Sequence, residues 1–188
     1  MRRVSVVGSG SGAGKTSLAR SLARRTGLPF IELDAIHWQQ GNWIAPDREV
    51  FRSRVAEATR GDTWVVDGNY SVSRDLVWSR ADTVIWLDLP PAVMLWRTVR
   101  RTVARSWRRE VLWGGNRESI WNAFVGKDAL IPFFIRTYRG RRRRFERELA
   151  RPEHAHLRLH RFHSSAEAEQ WLRSVPSVPG TRSATPSA

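Results

Sequence analysis

Near its start the chain places a lysine and a threonine behind a run of small residues, VVGSGSGAGKTS from Val6 to Ser17. An ammonium behind a glycine-rich turn is a compact point charge that fits between two phosphates, and a threonine hydroxyl beside it can ligate Mg²⁺. The glycines fit the usual spacing G-x-x-x-x-G-K-[ST] imperfectly, because counting back from Gly14-Lys15-Thr16 puts Ser9 where the first glycine belongs. A second count competes. Gly8-Ser9-Gly10-Ser11-Gly12-Ala13 satisfies the dinucleotide pattern G-x-G-x-x-[GA], with Glu32 following at the interval of a ribose carboxylate. That count leaves Lys15 and Thr16 without a use. The triphosphate count employs both, with backbone N–H groups and a helix N-terminus wrapping the phosphates. The loop therefore reads as an ATP site lined by Ser9, Gly10, Ser11, Gly12, Ala13, Gly14, Lys15, Thr16 and Ser17, with Thr16 on Mg²⁺. Lysine usage agrees: of 32 Lys+Arg only Lys15 and Lys127 are lysines, so the lysine in the loop is a departure from the chain's habit. A guanidinium would be too long and too planar there.

Carboxylates supply the second kind of chemistry. Asp67 ends the apolar run TWVVDG, where a charge must be solvated or paired, and a metal ion is its natural partner beside the loop. Asp34 follows PFIEL and can take the proton of an acceptor hydroxyl during phosphoryl transfer, or hold metal-bound water; the plainer role is a turn cap. His37 and Trp38 come just after it. His37 fits a loop-orienting role as well as an acceptor contact, and Trp38 fits a stacking platform and a core residue equally well. Asp88, before Pro90-Pro91, reads as a structural cap or ion pair. Further on, Arg97, Arg101, Arg105 and Arg108 recur at helical spacing beside an apolar row of Trp96, Val99, Val103 and Trp107. An arginine face entering a lid would neutralise charge on a transferring phosphoryl group, with Arg101 the foremost candidate and Arg117 a further contact.

The elements that must position these residues alternate. Strands are expected at Arg3–Gly8, Pro29–Asp34, Thr63–Gly68, Thr83–Pro90 and His156–Phe162. A helix carrying Leu18, Ala19, Leu22 and Ala23 follows the loop and closes at Gly27. Another opens at Pro46-Asp47, with Val50, Phe51, Val55 and Ala58 as its apolar stripe, and Ser164 with Glu167 caps a last helix ending near Arg173. Such alternation predicts a three-layer α/β/α fold around a five-stranded parallel sheet. Ligands in these sheets bind beyond the carboxyl ends of the strands, where Lys15, Asp34, Asp67 and Asp88 converge.

Composition bounds the rest. A chain of 188 residues is one domain by length, expected over residues 1–173 with a lid region about 102–125, followed by a Pro/Ser/Thr-rich, disordered tail over 174–188. With no cysteine there is neither a disulfide framework nor a thiolate metal site. VSVVG is too short for a signal peptide and no run is long enough to span a membrane, so a cytoplasmic protein is expected, without a membrane partner. A formal net charge of +14 keeps a nucleic-acid partner in view. The dense run Arg136–Arg151 brings no DNA-reading motif with it and reads as a solvated helix face. Among ten tryptophans, Trp64 and Trp86 fall inside strands as core, and Trp78, Trp113 and Trp121 fit a lid or acceptor pocket.

Four stretches in order, IELDAIHW, WVVDGNYSVSRDLVW, ADTVIWLDLP and GGNRESIW, resemble the bacterial P-loop proteins called topology modulation proteins, relatives of adenylate kinase and shikimate kinase. The resemblance spans about residues 1–173, although the family's usual loop is one residue shorter. It implies a sheet order of 2-3-1-4-5, an Asp67 that holds Mg²⁺ through water, and an Asp34 placed as the acceptor-side base of shikimate kinase. It also puts Arg97 near the adenine and Arg101 near the phosphates. Asn69 and Tyr70 stand where the adenylate kinase motif continues with an aromatic and a proline, so with Arg74 they mark a different acceptor side. The resulting expectation is a phosphotransferase using ATP and Mg²⁺ on a small-molecule or nucleotide acceptor, catalysed through Lys15, Asp34 and Arg101. The alternative is an ATP-binding regulatory or nucleic-acid-associated protein without such an acceptor.

Overall fold

Strand β1 (Arg3–Gly8) forms the centre of a five-stranded, all-parallel sheet with β3 (Trp64–Asp67) on one side and β4 (Thr83–Leu87) on the other. The edges are β2 (Phe30–Glu32) against β3 and β5 (Arg158–Phe162) against β4, giving the order β2-β3-β1-β4-β5. The structure, a computed structural model, describes residues 1–39, 43–108, 110–116 and 130–178, the side chains of 130–135 apart. Every residue of β3 and β4 is buried, as central strands covered on both faces require.

Alternation along these strands sorts two cores. Val4, Val6, Val65, Ile85 and Leu87 face one layer with Leu18, Ala19, Leu22 and Ala23 of α1 (Lys15–Thr26) and Ala168 of the last helix, α7 (Ser165–Ser174). Val7, Trp64, Val66, Val84 and Trp86 face the other with Phe51 and Val55 of α3 (Arg48–Ala58), and Val77 and Trp78 of the short α4 (Arg74–Trp78). Trp78 is core at 1% exposed, so it does not line a lid.

The fourth strand ends at Leu87 rather than Pro90 and the fifth begins at Arg158 rather than His156; three further differences have a local reason. The second strand stops at Glu32, which pairs with Asp67, because its only neighbour β3 ends there. The chain turns at once into α2 (Leu33–His37), so Asp34 stands in a helix's first turn rather than at a strand end. On α3 the inward residues are Phe51, Val55 and Thr59, while Val50 is 42% exposed and Ala58 is also exposed. The third difference lies on α5 (Pro91–Trp107). Its buried residues are Met94, Thr98 and Thr102, and Trp96 and Trp107 are 65% and 86% exposed. The loop between β1 and α1 explains this choice. A Cβ on Gly12 would run into the Met94 carbonyl and stand 2.6 Å from Thr98 Oγ1, so the small-residue row of α5, not its tryptophan row, meets the loop.

The long helix α6 (Leu130–Leu149) is anchored by Tyr138 and Phe145, both buried, with Arg136, Arg139, Arg143, Arg144 and Arg147 exposed. At α7 the Ser164 hydroxyl accepts the Glu167 N–H at 3.2 Å, and Glu167 accepts the His163 N–H at 2.9 Å, a cap of the expected kind shifted by one donor. Beyond it Val175 is buried, and the Val178 N–H donates to the Arg25 carbonyl at 3.0 Å. Those first tail residues are therefore packed on the end of α1. The remainder of the expected tail, residues 179–188, lies outside the described residues, as do Arg117, Trp121 and Lys127 of the expected lid and its approach.

Candidate active site

The loop between β1 and α1 crosses the carboxyl edge of the sheet. Gly12 and Gly14 take left-handed conformations (φ 77° and 87°), which a side chain would disfavour, and Gly14 caps α1. Ser11, Lys15 and Thr16 are partly exposed, and Gly14 and Ser17 more so, while Gly10 and Ala13 are buried. Lys15 Nζ donates to the Gly10 carbonyl at 3.2 Å, so the ammonium spans its own loop. Ser9 is 1% exposed, and its hydroxyl donates to Asp88 Oδ1 and accepts from Trp86 Nε1, both at 3.1 Å. Its side chain thus points into the sheet edge, away from the mouth of the loop.

Asp67 faces this loop from β3 and is 3% exposed. Burial pushes its pKa up to about 6 from an ordinary 3.8, against the pull of Lys15 and of a hydrogen bond from Thr16, and Asp34 and Glu32 add to the rise. Its Oδ1 is buried without a hydrogen-bond partner. A lone buried carboxylate oxygen beside a threonine hydroxyl fits a hard cation that keeps most of its water and takes its remaining ligands from substrate phosphates. No cluster of three metal-ligating side chains exists among the described residues, so a closed protein cage is not the alternative there.

On the α2 side, Tyr70 donates its hydroxyl to Asp34 at 2.7 Å. Burial and the neighbouring Asp34 raise the tyrosine pKa, which fixes Tyr70 as the donor. His37 packs against Trp38, Phe51 and Tyr70 at ring distances of 4.5, 4.8 and 4.6 Å. Burial lowers the His37 pKa, partly offset by Asp34, which favours the neutral imidazole. Trp38 meets Trp43 edge-on at 5.3 Å. Asn116 joins Trp43 to the turn at Trp113, its Oδ1 accepting the Trp43 N–H and its Nδ2 donating to the Trp113 carbonyl, both at 2.7 Å.

The remaining expected residues divide. Asn69 donates to the Gly8 carbonyl at 3.4 Å and accepts from Arg74 at 2.9 Å, so it braces the last residue of β1, where the loop departs. Arg74 stacks over Trp78 and Phe145 at 5.3 and 4.8 Å. Arg97 donates to Ser165 Oγ at 2.8 Å and lies beside Gly14. Arg101 and Arg105 are half-buried on the same flank of α5, Arg105 with Glu110 at 3.6 Å, and Arg108 is exposed. The Ser9–Asp88 and Asn116–Trp43 contacts escaped sequence reasoning. Both join residues more than seventy positions apart, and no periodicity reports such pairs.

No family model matches the chain, and no curated protein does. Solved structures do match over nearly the whole length. A shikimate kinase from Acinetobacter baumannii in complex with shikimate shares 23% identity over 92% of each chain, with a TM-score of 0.55. A shikimate kinase from Bacteroides thetaiotaomicron shares 17% over 92% of this chain and 94% of that one, at 0.54. An unliganded sugar kinase from Janibacter sp. shares 21% over 92% and 91%, at 0.51. The fold is that of the P-loop kinases. Within it, the Ser9–Ser17 loop occupies the β1–α1 turn, and Asp67 and Asp34 flank it from β3 and α2. No described helix is long and apolar enough to cross a membrane.

Proposed function

We propose that this chain is a phosphotransferase that binds Mg·ATP and passes the γ-phosphoryl group to a hydroxyl of a small acceptor held beside Asp34. One observation carries most of the weight: Asp67, buried, with Oδ1 unpartnered, next to Thr16 and Lys15. Thr16 and Asp67 would hold a magnesium ion, which would screen the charge of the β- and γ-phosphates. Lys15 exchanges the Gly10 carbonyl for phosphate oxygens, a stronger, charge-assisted partner. Arg97 borders the adenine, and Arg101 counters charge developing on the transferred group. Asp34 takes the acceptor's proton once that hydroxyl displaces Tyr70 from it, and neutral His37 holds the α2 rings in place.

The resemblance of four motifs to topology modulation proteins supports a small bacterial P-loop protein of the cytoplasm but names no acceptor. A hydroxylated metabolite is the better guess over a nucleotide, since two of the solved kinases of this fold are shikimate kinases, one of them with shikimate bound. The test is transfer from radiolabelled ATP across a panel of hydroxylated metabolites and nucleotides, with Asp34→Asn as control. A labelled product made by the wild type and lost in that variant supports the proposal. Equal labelling by both proteins refutes the role given to Asp34. The nucleic-acid alternative rests on the +14 charge and the exposed arginines of α6, and predicts DNA affinity falling steeply with salt.

A further inference from the structure

We infer that Asp88 is a positioning residue that ties the phosphate loop to helix α6, so that arginines outside the site help set the geometry at Lys15. The inference rests on the reading of the loop as the nucleotide site. Asp88 lies one residue beyond β4, and its side chain is 0% exposed. A carboxylate taken wholly out of water needs partners on both oxygens. Oδ2 receives Arg161 through two nitrogens at 3.0 and 2.5 Å and Arg142 of α6 at 3.1 Å, with His163 at 3.7 Å. Oδ1 receives the Ser9 hydroxyl at 3.1 Å.

Ser9 is then held twice, because its hydroxyl also accepts from Trp86 Nε1 at 3.1 Å. A hydroxyl fixed as donor and acceptor has one rotor position, and with it the backbone at residue 9 is fixed. The next residue, Gly10, carries the carbonyl that receives Lys15 Nζ. The path from α6 is continuous: Arg142 to Asp88, Asp88 to Ser9, and Ser9 along one peptide to the carbonyl that holds the lysine. Asn69 braces the Gly8 carbonyl on the other side at 3.4 Å. This accounts for the serine where the usual spacing has glycine. Counted from Gly8 to Gly14 the loop is one residue longer than the usual spacing, and a side-chain anchor gives it a fixed start. Glu146, on the same helix, also accepts Arg161 at 2.8 Å. A rotation of α6 would therefore move Arg142, the helix's own cation on the Asp88 carboxylate.

A purely structural Asp88 would change stability and leave nucleotide affinity alone, and calorimetric titration of Mg·ATP separates the two. Arg142→Met should weaken binding about threefold or more, although Arg142 lies on α6, away from the loop. Arg147→Met, on the same helix and hydrogen-bonded only to the Arg143 carbonyl at 3.4 Å among the contacts described, is the matched control and should change nothing. Ser9→Ala should weaken binding about tenfold, and adding Arg142→Met to it should weaken binding by less than the product of the two single effects. Arg142 is 42% exposed, so its variant folds even if a change at Ser9 does not. If Arg142→Met and Arg147→Met bind alike, or if the Ser9 and Arg142 effects multiply, the coupling is wrong while the nucleotide site stands. A wild type that binds no Mg·ATP removes both.

Discussion

Replacing Asp67 by asparagine should make the ligand-free protein more stable while removing its response to magnesium nucleotide. The carboxylate is 3% exposed and its pKa sits at about 6 instead of 3.8, with burial the largest cause. A folded pKa raised above the unfolded one means that the native state prefers the protonated form. Stability from this group is full below pH 3.8, is lost as pH rises through about 6, and stays lost above it. The gap corresponds to about 3 kcal/mol. Asparagine keeps the shape and has no charge to desolvate, so Asp67→Asn should match the wild type near pH 3.5 and exceed it by up to about 3 kcal/mol at pH 8. In melting temperature that is roughly 6–12 °C for a domain of this size. Taking the difference between variant and wild type in urea denaturation, point by point in pH, cancels all other titrating groups. The second half of the assay adds Mg·ATP. It should raise the wild-type melting temperature, less so below pH 6 where Asp67 takes up its proton, and should leave the variant nearly unmoved. A stability difference that stays flat from pH 4 to 8 would mean that no buried charge is stored at this position, and the metal assignment would lose its physical basis.

Three further outcomes follow from the loop and from α5. Lys15→Ala should abolish transfer with the fold intact, and Lys15→Arg should fail as well because a planar guanidinium cannot sit between two phosphates; retained turnover in the arginine variant removes the argument for an ammonium. Gly12→Ala should cost on the order of 2 kcal/mol or more in thermal or urea unfolding, since a Cβ there meets the Met94 carbonyl in a left-handed residue. Arg101→Ala should lower the turnover rate by an amount on the order of 2–4 kcal/mol in barrier with a smaller effect on ATP affinity, while Arg143→Ala, on the exposed face of α6, should change neither; equal losses would reduce both arginines to a diffuse field.

Much of the fold was legible because its signals are local. Buried parallel strands read as apolar runs, Gly27 closes α1, and Ser164 with Glu167 caps α7. The sheet order came by family resemblance and the structure has it. What could not be read were the choices made by partners. Glu32 ends β2 because β3 ends opposite it, and the sequence of β2 alone continues apolar into Leu33. Two rows on α5 have helical spacing, and the tryptophan row is the more apolar one. Contact with Gly12 selects the row of Met94, Thr98 and Thr102 instead.

The site shows the same division between types of residue and their partners. Lys15, Thr16 and Asp67 stand out by type and spacing, and the structure brings them together at one end of the sheet, with Asp67 buried beside Thr16 and Lys15. Nothing in the spacing around Asp34 points to its hydrogen bond from Tyr70, which the fold supplies from a residue 36 positions away. Ser9 is the instructive case. By spacing it is a defect in a phosphate-binding motif, and by structure it is the most tightly held side chain of the loop, fixed between Asp88 and Trp86. Glycine in that place serves the motif by allowing backbone freedom. Counted from Gly8 to Gly14, this loop is one residue longer than the usual spacing, and a buried hydroxyl between a carboxylate and an indole N–H constrains it.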